Sequence, residues 1–206
     1  MPASAPGRFL TLEGVDGAGK STHLDWIAAR LRQEGREVVV TREPGGTPYA
    51  EKLRALVLSE PMTPLAETLL MFAARADHLE KVIRPALARG AWIVCDRFTD
   101  ATRAYQGAGK GVAAELIERL AQEVHAGLAP DRTLIFDCPY EVSRERLAAS
   151  GRVLDRFEAE DRAFFDRVRE AYERLARNEA HRARLIDGSK SPEEVKAEIE
   201  KGLAGL

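Results

Sequence analysis

The chain has 206 residues, 45% of them hydrophobic and 31% charged, which allows one domain with a substantial core, and no apolar run approaches membrane-spanning length. Lys and Arg (31) nearly balance Asp and Glu (33), and a net charge of −2 gives no electrostatic case for nucleic acid or a membrane surface as partner. No signal-peptide pattern is visible, Cys95 and Cys138 beside apolar runs read as buried thiols of a reducing cytoplasm, and His23, His78, His125 and His181 lack metal-ligand spacing.

Residues 1–7 read as a frayed tail before the first predicted strand, Phe9–Glu13. Gly14-Val15-Asp16-Gly17-Ala18-Gly19-Lys20-Ser21-Thr22 follows directly. This is a phosphate-binding loop between a strand and a helix, the context that gives the motif its meaning. Its glycines let successive N–H groups converge on a phosphate, and the next helix adds its dipole. Lys20 is expected at the β- and γ-phosphates of a nucleoside triphosphate, and Ser21 at Mg²⁺. The motif alone does not separate a kinase from a GTPase or a motor.

Lys20–Glu34 is the first helix, with Leu24, Ile27, Ala28 and Leu31 on one face and Gly35 as its stop. Val38–Thr41 is a second strand, expected to be buried, and Arg42 follows it in an irregular turn carrying Pro44, Gly45 and Gly46. Arg42 there either points into the same crevice or is a solvated loop residue. A long helix is marked by Leu65, Leu69, Phe72, Ala76, Leu79, Ile83 and Ala86. Phe72 and Arg75 are neighbours on its surface, although Phe72 also lies on the apolar stripe.

Ala91–Cys95 is the third strand and ends in Asp96-Arg97-Phe98. Asp96 is placed to serve Mg²⁺ or its waters, unless it merely caps the next helix, and Arg97 to fork onto a phosphate. A helix around Leu116–Val124, a strand Thr133–Phe136, a helix around Phe164–Leu175, a strand Arg184–Asp187 and a helix opened by Ser191-Pro192-Glu193-Glu194 complete the chain. Arg144, Arg146, Arg152 and Arg156, with Ser150-Gly151 among them, suggest a lid over about 144–158. For some of them a solvated helix face with acidic neighbours is the alternative. Strands alternating with helices predict a single α/β domain over 1–206: a five-stranded parallel sheet, flanked by helices, with ligands at the strands' carboxyl ends.

Together Glu13–Thr22, Thr41–Thr47, Phe72–Arg75, Asp96–Phe98, Ala104-Tyr105-Gln106-Gly107 and Leu154–Glu158 resemble the thymidylate kinases, a branch of the nucleoside monophosphate kinases. The resemblance implies the three-layer P-loop kinase fold and transfer of the γ-phosphoryl of ATP to dTMP, giving dTDP and ADP. It implies a homodimer. It also implies roles at the matching positions: Asp16 on the sugar 3′-hydroxyl, and Arg42 and Arg97 on the dTMP phosphate. Phe72 would stack on thymine, Arg75 would meet the base edge, Tyr105 would crowd out a ribose 2′-hydroxyl, and Gln106 would be a further contact. The family's usual Asp-Arg-Tyr-x-x-Ser has Phe98 and Ala101 here, so Thr102 is the substitute hydroxyl. Gly17 stands where some members carry a P-loop arginine, which points to the bacterial type with a catalytic lid arginine. Arg152 is the candidate, flanked by Arg146 and Arg156.

Two other readings remain at this level. One is a P-loop kinase for another nucleotide or nucleoside. The other is a GTPase switch, against which stand the missing Asn-Lys-x-Asp and the absence of Asp-x-x-Gly beyond the P-loop.

Overall fold

A computed structural model describes residues 6–151 and 153–206, so Arg152 and residues 1–5 of the expected tail lie outside the described residues. The tail ends earlier than expected. A Cβ on Gly7 would stand 2.5 Å from the Ala91 carbonyl oxygen, so the chain is already packed there.

The chain runs through β1 (Phe9–Gly14), α1 (Lys20–Gln33), β2 (Val38–Arg42), α2 (Pro48–Ser59) and α3 (Pro64–His78). A π-helical turn (Leu79–Ile83) carries α3 into α4 (Arg84–Ala88). Then come β3 (Trp92–Asp96), α5 (Thr99–Thr102) with a second π-helical segment (Arg103–Gly109), and α6 (Ala114–His125). β4 (Arg132–Asp137), α7 (Tyr140–Ala149), α8 (Arg162–Asn178), β5 (Ala183–Asp187) and α9 (Pro192–Leu203) follow.

All five strands are parallel, in the order β2-β3-β1-β4-β5. Helices cover both faces, and the central strands are correspondingly apolar. Leu10, Leu12, Ile93, Val94, Leu134, Ile135 and Phe136 have no solvent exposure. Each such side chain contributes about 1.5–3 kcal/mol of burial. From β1 the chain goes out to the edge at β2, returns to β3, and then crosses β1 to reach β4 and β5. The loops therefore part at the carboxyl end of β1, where an open parallel sheet has its binding crevice. Register brings three segments to that end: Leu12 and Arg42 both pair with Asp96, and Gly14 pairs with Phe136.

Four local expectations change. β2 is a half-buried edge strand, not a buried one, because only β3 flanks it. The loop after β2 is followed by α2, whose start is written as Thr47-Pro48: the Thr47 hydroxyl accepts from the Ala50 N–H at 3.0 Å, with proline at the first helical position. The long helix is widened just before Pro85, where the Arg84 N–H reaches back to the Leu79 carbonyl. That widening relieves the clash between a proline ring and the carbonyl four residues back. Finally, the first part of the expected lid is ordinary helix, since Arg144 and Arg146 lie within α7. Ser191 and Glu194 form the expected capping box on α9. Among the described residues no helix is long and apolar enough to cross a membrane.

Gly14 sits at φ 122°, and a Cβ there would stand 1.9 Å from the Phe136 carbonyl oxygen on the paired strand. Neither backbone can give without breaking the β1–β4 ladder. Gly14→Ala is therefore expected to destabilise the fold by at least ~3 kcal/mol, as backbone clash with strain does. Urea denaturation checks it, and an unchanged midpoint would contradict this register.

Candidate active site

A cavity of about 550 Å³ opens at the carboxyl end of β1. Asp16, Gly17, Gly19, Lys20, Ser21 and Thr22 form its floor. Asp96 through Phe98 and Ala101, Thr102, Tyr105 and Gln106 form one wall. Met71 and Arg75 of α3, Glu43 and Pro44, and Arg54 and Leu58 of α2 form the other. Arg146, Leu147, Ser150, Asp155, Phe157 and Glu158 lie above.

Within the floor, Lys20 is buried and its ammonium donates to the carbonyls of Gly14 (3.1 Å) and Val15 (2.8 Å). Burial and the nearby Arg97 charge lower its pKa, while Asp16, Asp96 and Glu13 oppose that shift. Gly14, Val15 and Ala18 do not line the cavity. Val15 and Ala18 turn their side chains into the core. Asp96 stands at the end of β3 with Oδ1 buried and without a hydrogen-bond partner. Ser21 and Asp96 share the cavity as one hydroxyl and one carboxylate, and among the described residues no cluster of three or more His, Cys, Asp or Glu forms a metal cage. That donor set suits Mg²⁺, which takes few protein ligands and keeps phosphate oxygens and waters.

Arg97 is a non-glycine residue in the left-handed region, at φ 70°. Its guanidinium donates to the Gly14 carbonyl (3.0 Å), the Tyr105 hydroxyl (3.1 Å) and the Asp16 carboxylate. Tyr105 donates to the other Asp16 oxygen at 2.8 Å. Burial alone would raise the Asp16 pKa, but Arg97 and Lys20 hold it below the ordinary aspartate value. Asp16, Arg97 and Tyr105, each expected separately at the sugar and phosphate of one nucleotide, are bonded to one another in the structure.

Arg75 is also buried. It donates to Glu43 (2.6 Å), the Phe98 carbonyl (3.1 Å) and Thr102 (3.1 Å), and one terminal nitrogen, Nη1, is left without a partner. His78 bonds the second Glu43 oxygen at 2.9 Å. Burial would raise the Glu43 pKa, but Arg75 and His78 bring it below the ordinary value. Thr102 and Gln106 both line the cavity, with the Gln106 amide donating to Glu67 at 2.7 Å.

Two expected contacts are corrected. Phe72 does not line the cavity: it packs with Ile117 and Ala121 of α6, and the Arg75 guanidinium lies 4.8 Å from its ring centre. Met71, one position earlier and one turn before Arg75, faces the cavity instead, opposite Phe98 on the other wall. Arg42 does not line it either. Its guanidinium grips Glu51 of α2 at 2.9 and 3.2 Å on the exposed side of the edge strand, where Glu51 is also held by the Gly46 N–H. Arg54 lines the cavity in its place, donating to the Pro44 carbonyl at 3.0 Å, its pKa lowered by burial and by Arg42. Only an expectation of α2 and of its inward face could have found Arg54. Among the described lid arginines, Arg146 lines the cavity and donates to the carbonyls of Gly17 (3.2 Å) and Gly188 (2.8 Å). Arg156 does not.

A phosphate-binding loop under a pocket with its own arginines, in a five-stranded parallel sheet of this order, defines a P-loop phosphotransferase. The family model for thymidylate kinase matches residues 12–199. A thymidylate kinase of Bordetella petrii is 58% identical over 205 residues, covering 98% of each chain, and one of Pseudomonas putida is 56% identical over 203 residues, covering 97% of this chain and 96% of its own. The crystal structure of thymidylate kinase from Ehrlichia chaffeensis superposes with a TM-score of 0.78 at 32% identity, over 96% of this chain and 98% of that one. The chain belongs to the thymidylate kinase family, and its reaction is the ATP-dependent phosphorylation of dTMP to dTDP.

Glu13, the residue before the P-loop, supports the cluster from beneath. It is fully buried and accepts from the Phe98 N–H (2.7 Å) and the Tyr172 hydroxyl (2.7 Å). Burial, and then the Asp100 charge, push its pKa up from 4.5 to about 7. Between those values the unfolded chain has lost the proton that the native state keeps. Stability from this group is complete below pH 4.5 and falls as pH rises to about 7, by up to ~3 kcal/mol. Glu13→Gln cannot ionise, so its stability relative to the parent is expected to rise across that window. Urea denaturation of both proteins from pH 4 to pH 8 checks this, and parallel curves would contradict it.

Proposed function

We propose that the transfer is carried by positioning and charge alone. Lys20 and the P-loop N–H groups hold the donor phosphates, and Arg97 and Arg54 hold the acceptor phosphate. The observation that carries this reading is one cavity that joins the P-loop to a second, arginine-lined pocket. The acceptor oxygen of a nucleoside monophosphate is already anionic, so no general base is required. Ser21 and Asp96 would hold Mg²⁺, which neutralises charge on the donor phosphates when bound.

In the acceptor pocket the unpartnered Arg75 nitrogen is offered to a carbonyl on the base edge, with Thr102 and Glu43 fixing the guanidinium. Met71 and Phe98 flank the base in the role first expected of Phe72. Asp16 takes the sugar 3′-hydroxyl, Tyr105 fills the space a 2′-hydroxyl would need, and Gln106 completes the wall. Arg146 adds charge beside the P-loop. Arg152, outside the described residues, keeps the role proposed from sequence, meeting the transferring phosphoryl. Comparing ADP formation with dTMP, dUMP, dCMP and AMP tests the acceptor assignment: preference for an acceptor other than dTMP would overturn it.

Lys20→Ala is expected to lower kcat by about 10²–10³. Arg97→Ala is expected to raise KM for dTMP much more than KM for ATP. Steady-state kinetics with each substrate varied separates the two effects, and the reverse KM pattern would mean the nucleotide sites are exchanged.

We also propose a homodimer in the cytoplasm. Tyr49 and Leu56 on α2 and Leu65 and Leu69 on α3 are each about half exposed, an apolar face suited to a second copy. Cys95 and Cys138 are buried free thiols, in keeping with a reducing compartment. Leu56→Glu combined with Leu69→Glu is expected to give a monomer by light scattering after size exclusion. A wild-type monomer, or a variant dimer, would contradict this interface.

A further inference from the structure

Glu67 of α3 has no solvent exposure, yet it collects donors from separate parts of the chain. Gln106 donates to Oε1 at 2.7 Å, Lys110 to Oε2 at 2.9 Å, and the Arg156 guanidinium also to Oε2. Gln106 is part of the acceptor wall. Arg156 belongs to the turn above the cavity and also donates to the Val57 carbonyl of α2. Its neighbour Phe157 lines the cavity and meets the Tyr105 ring edge-on, with centroids 6.0 Å apart. Arg156 and Lys110 both lie over the Phe157 ring, 4.7 and 4.5 Å from its centre. One buried carboxylate therefore ties the wall that carries Gln106 to the turn that carries Phe157.

We infer that Glu67 is a positioning residue that latches the turn 153–158 onto the acceptor wall through Arg156. The guanidinium of Arg156 faces α2 and α3, so it serves closure and not the transferring phosphoryl. Without the Glu67 charge, Arg156 and Lys110 would repel each other around the Phe157 ring, and the turn would lose its fixed seat. The consequence for turnover rests on the dTMP kinase reading; the latch itself does not.

The test uses the full chain. The amides of Asp155, Phe157 and Glu158 bond to side chains within the turn, at 3.1, 2.9 and 3.0 Å, and report its opening. Hydrogen exchange of these amides is compared among wild type, Arg156→Gln, Glu67→Gln and the double variant. Each single change is expected to speed exchange at least about tenfold, the factor one charge-assisted hydrogen bond supplies. The double variant should exchange no faster than the faster single one, since both cut the same link. KM for dTMP should rise in the same order while KM for ATP stays near wild type. Exchange at the wild-type rate in Arg156→Gln, or additive effects in the double variant, would overturn the latch. So would a Glu67→Gln protein with a lowered melting temperature and unchanged exchange, which would make Glu67 merely structural. If Glu67→Gln does not fold, Arg156→Gln and Arg156→Lys decide, with lysine expected to restore part of the protection. A wild-type protein without dTMP-dependent ADP formation would overturn the functional reading, and the exchange result would still decide the latch.

Discussion

The site depends on how the chain leaves β3. After Asp96 it turns through a left-handed residue, Arg97, a conformation that costs an ordinary side chain about 1–2 kcal/mol. The turn is held on both sides. The Arg97 N–H bonds the Leu12 carbonyl at 2.9 Å, and the next N–H, of Phe98, bonds Glu13 at 2.7 Å. Both anchors lie on β1, so the strand that launches the P-loop also fixes the opposite wall. Because of this turn, Asp96, Arg97 and Phe98 can all face one cavity. An extended strand would have sent alternate side chains to opposite faces of the sheet.

Three carboxylates hold three arginines in the same manner: Asp16 with Arg97, Glu43 with Arg75, and Glu67 with Arg156. Such pairs are poor sources of net stability, because desolvation consumes most of their attraction. Their contribution is direction. Each arginine has donors on fixed acceptors, which leaves few orientations for the rest of the guanidinium. For Arg75 this is explicit: Nε and one terminal nitrogen are taken by Glu43, Phe98 and Thr102, and the other terminal nitrogen has no partner.

The sheet was legible because parallel buried strands are short apolar runs ending at the ligand crevice, and the P-loop, Asp96 and Arg97 sit on those ends. Residues held on helices were less so. Met71 and Phe72 differ by about 100° around α3, and the choice between them depends on where α6 packs, a long-range fact absent from local spacing. The placement of Arg42 is open at the level of sequence for a related reason: the carboxylate it grips, Glu51, lies on α2, which local spacing after the Pro44–Gly46 turn does not announce. The second π-helical segment, Arg103–Gly109, carries Tyr105 and Gln106 to the wall, and no simple periodicity encodes a widened turn.

The donors around the cavity indicate the class of molecule it receives. Asp16 is matched by Arg97, and Glu43 by Arg75. Lys20, Arg54 and Arg146 all face the cavity and give hydrogen bonds to backbone carbonyls: those of Gly14 and Val15, of Pro44, and of Gly17 and Gly188. A carbonyl dipole satisfies a donor but does not neutralise a full charge. Lys20 also lies 4.0 Å from the Asp16 carboxylate, and Asp96, Asp155 and Glu158 line the same cavity, so what these donors lack is close anionic oxygen acceptors and not overall countercharge. An uncharged nucleoside brings no phosphate oxygens to these donors. A phosphorylated ligand brings the anionic oxygens that such donors take, and it brings them to the loop where Lys20 and Arg97 converge on the Gly14 carbonyl and Asp16.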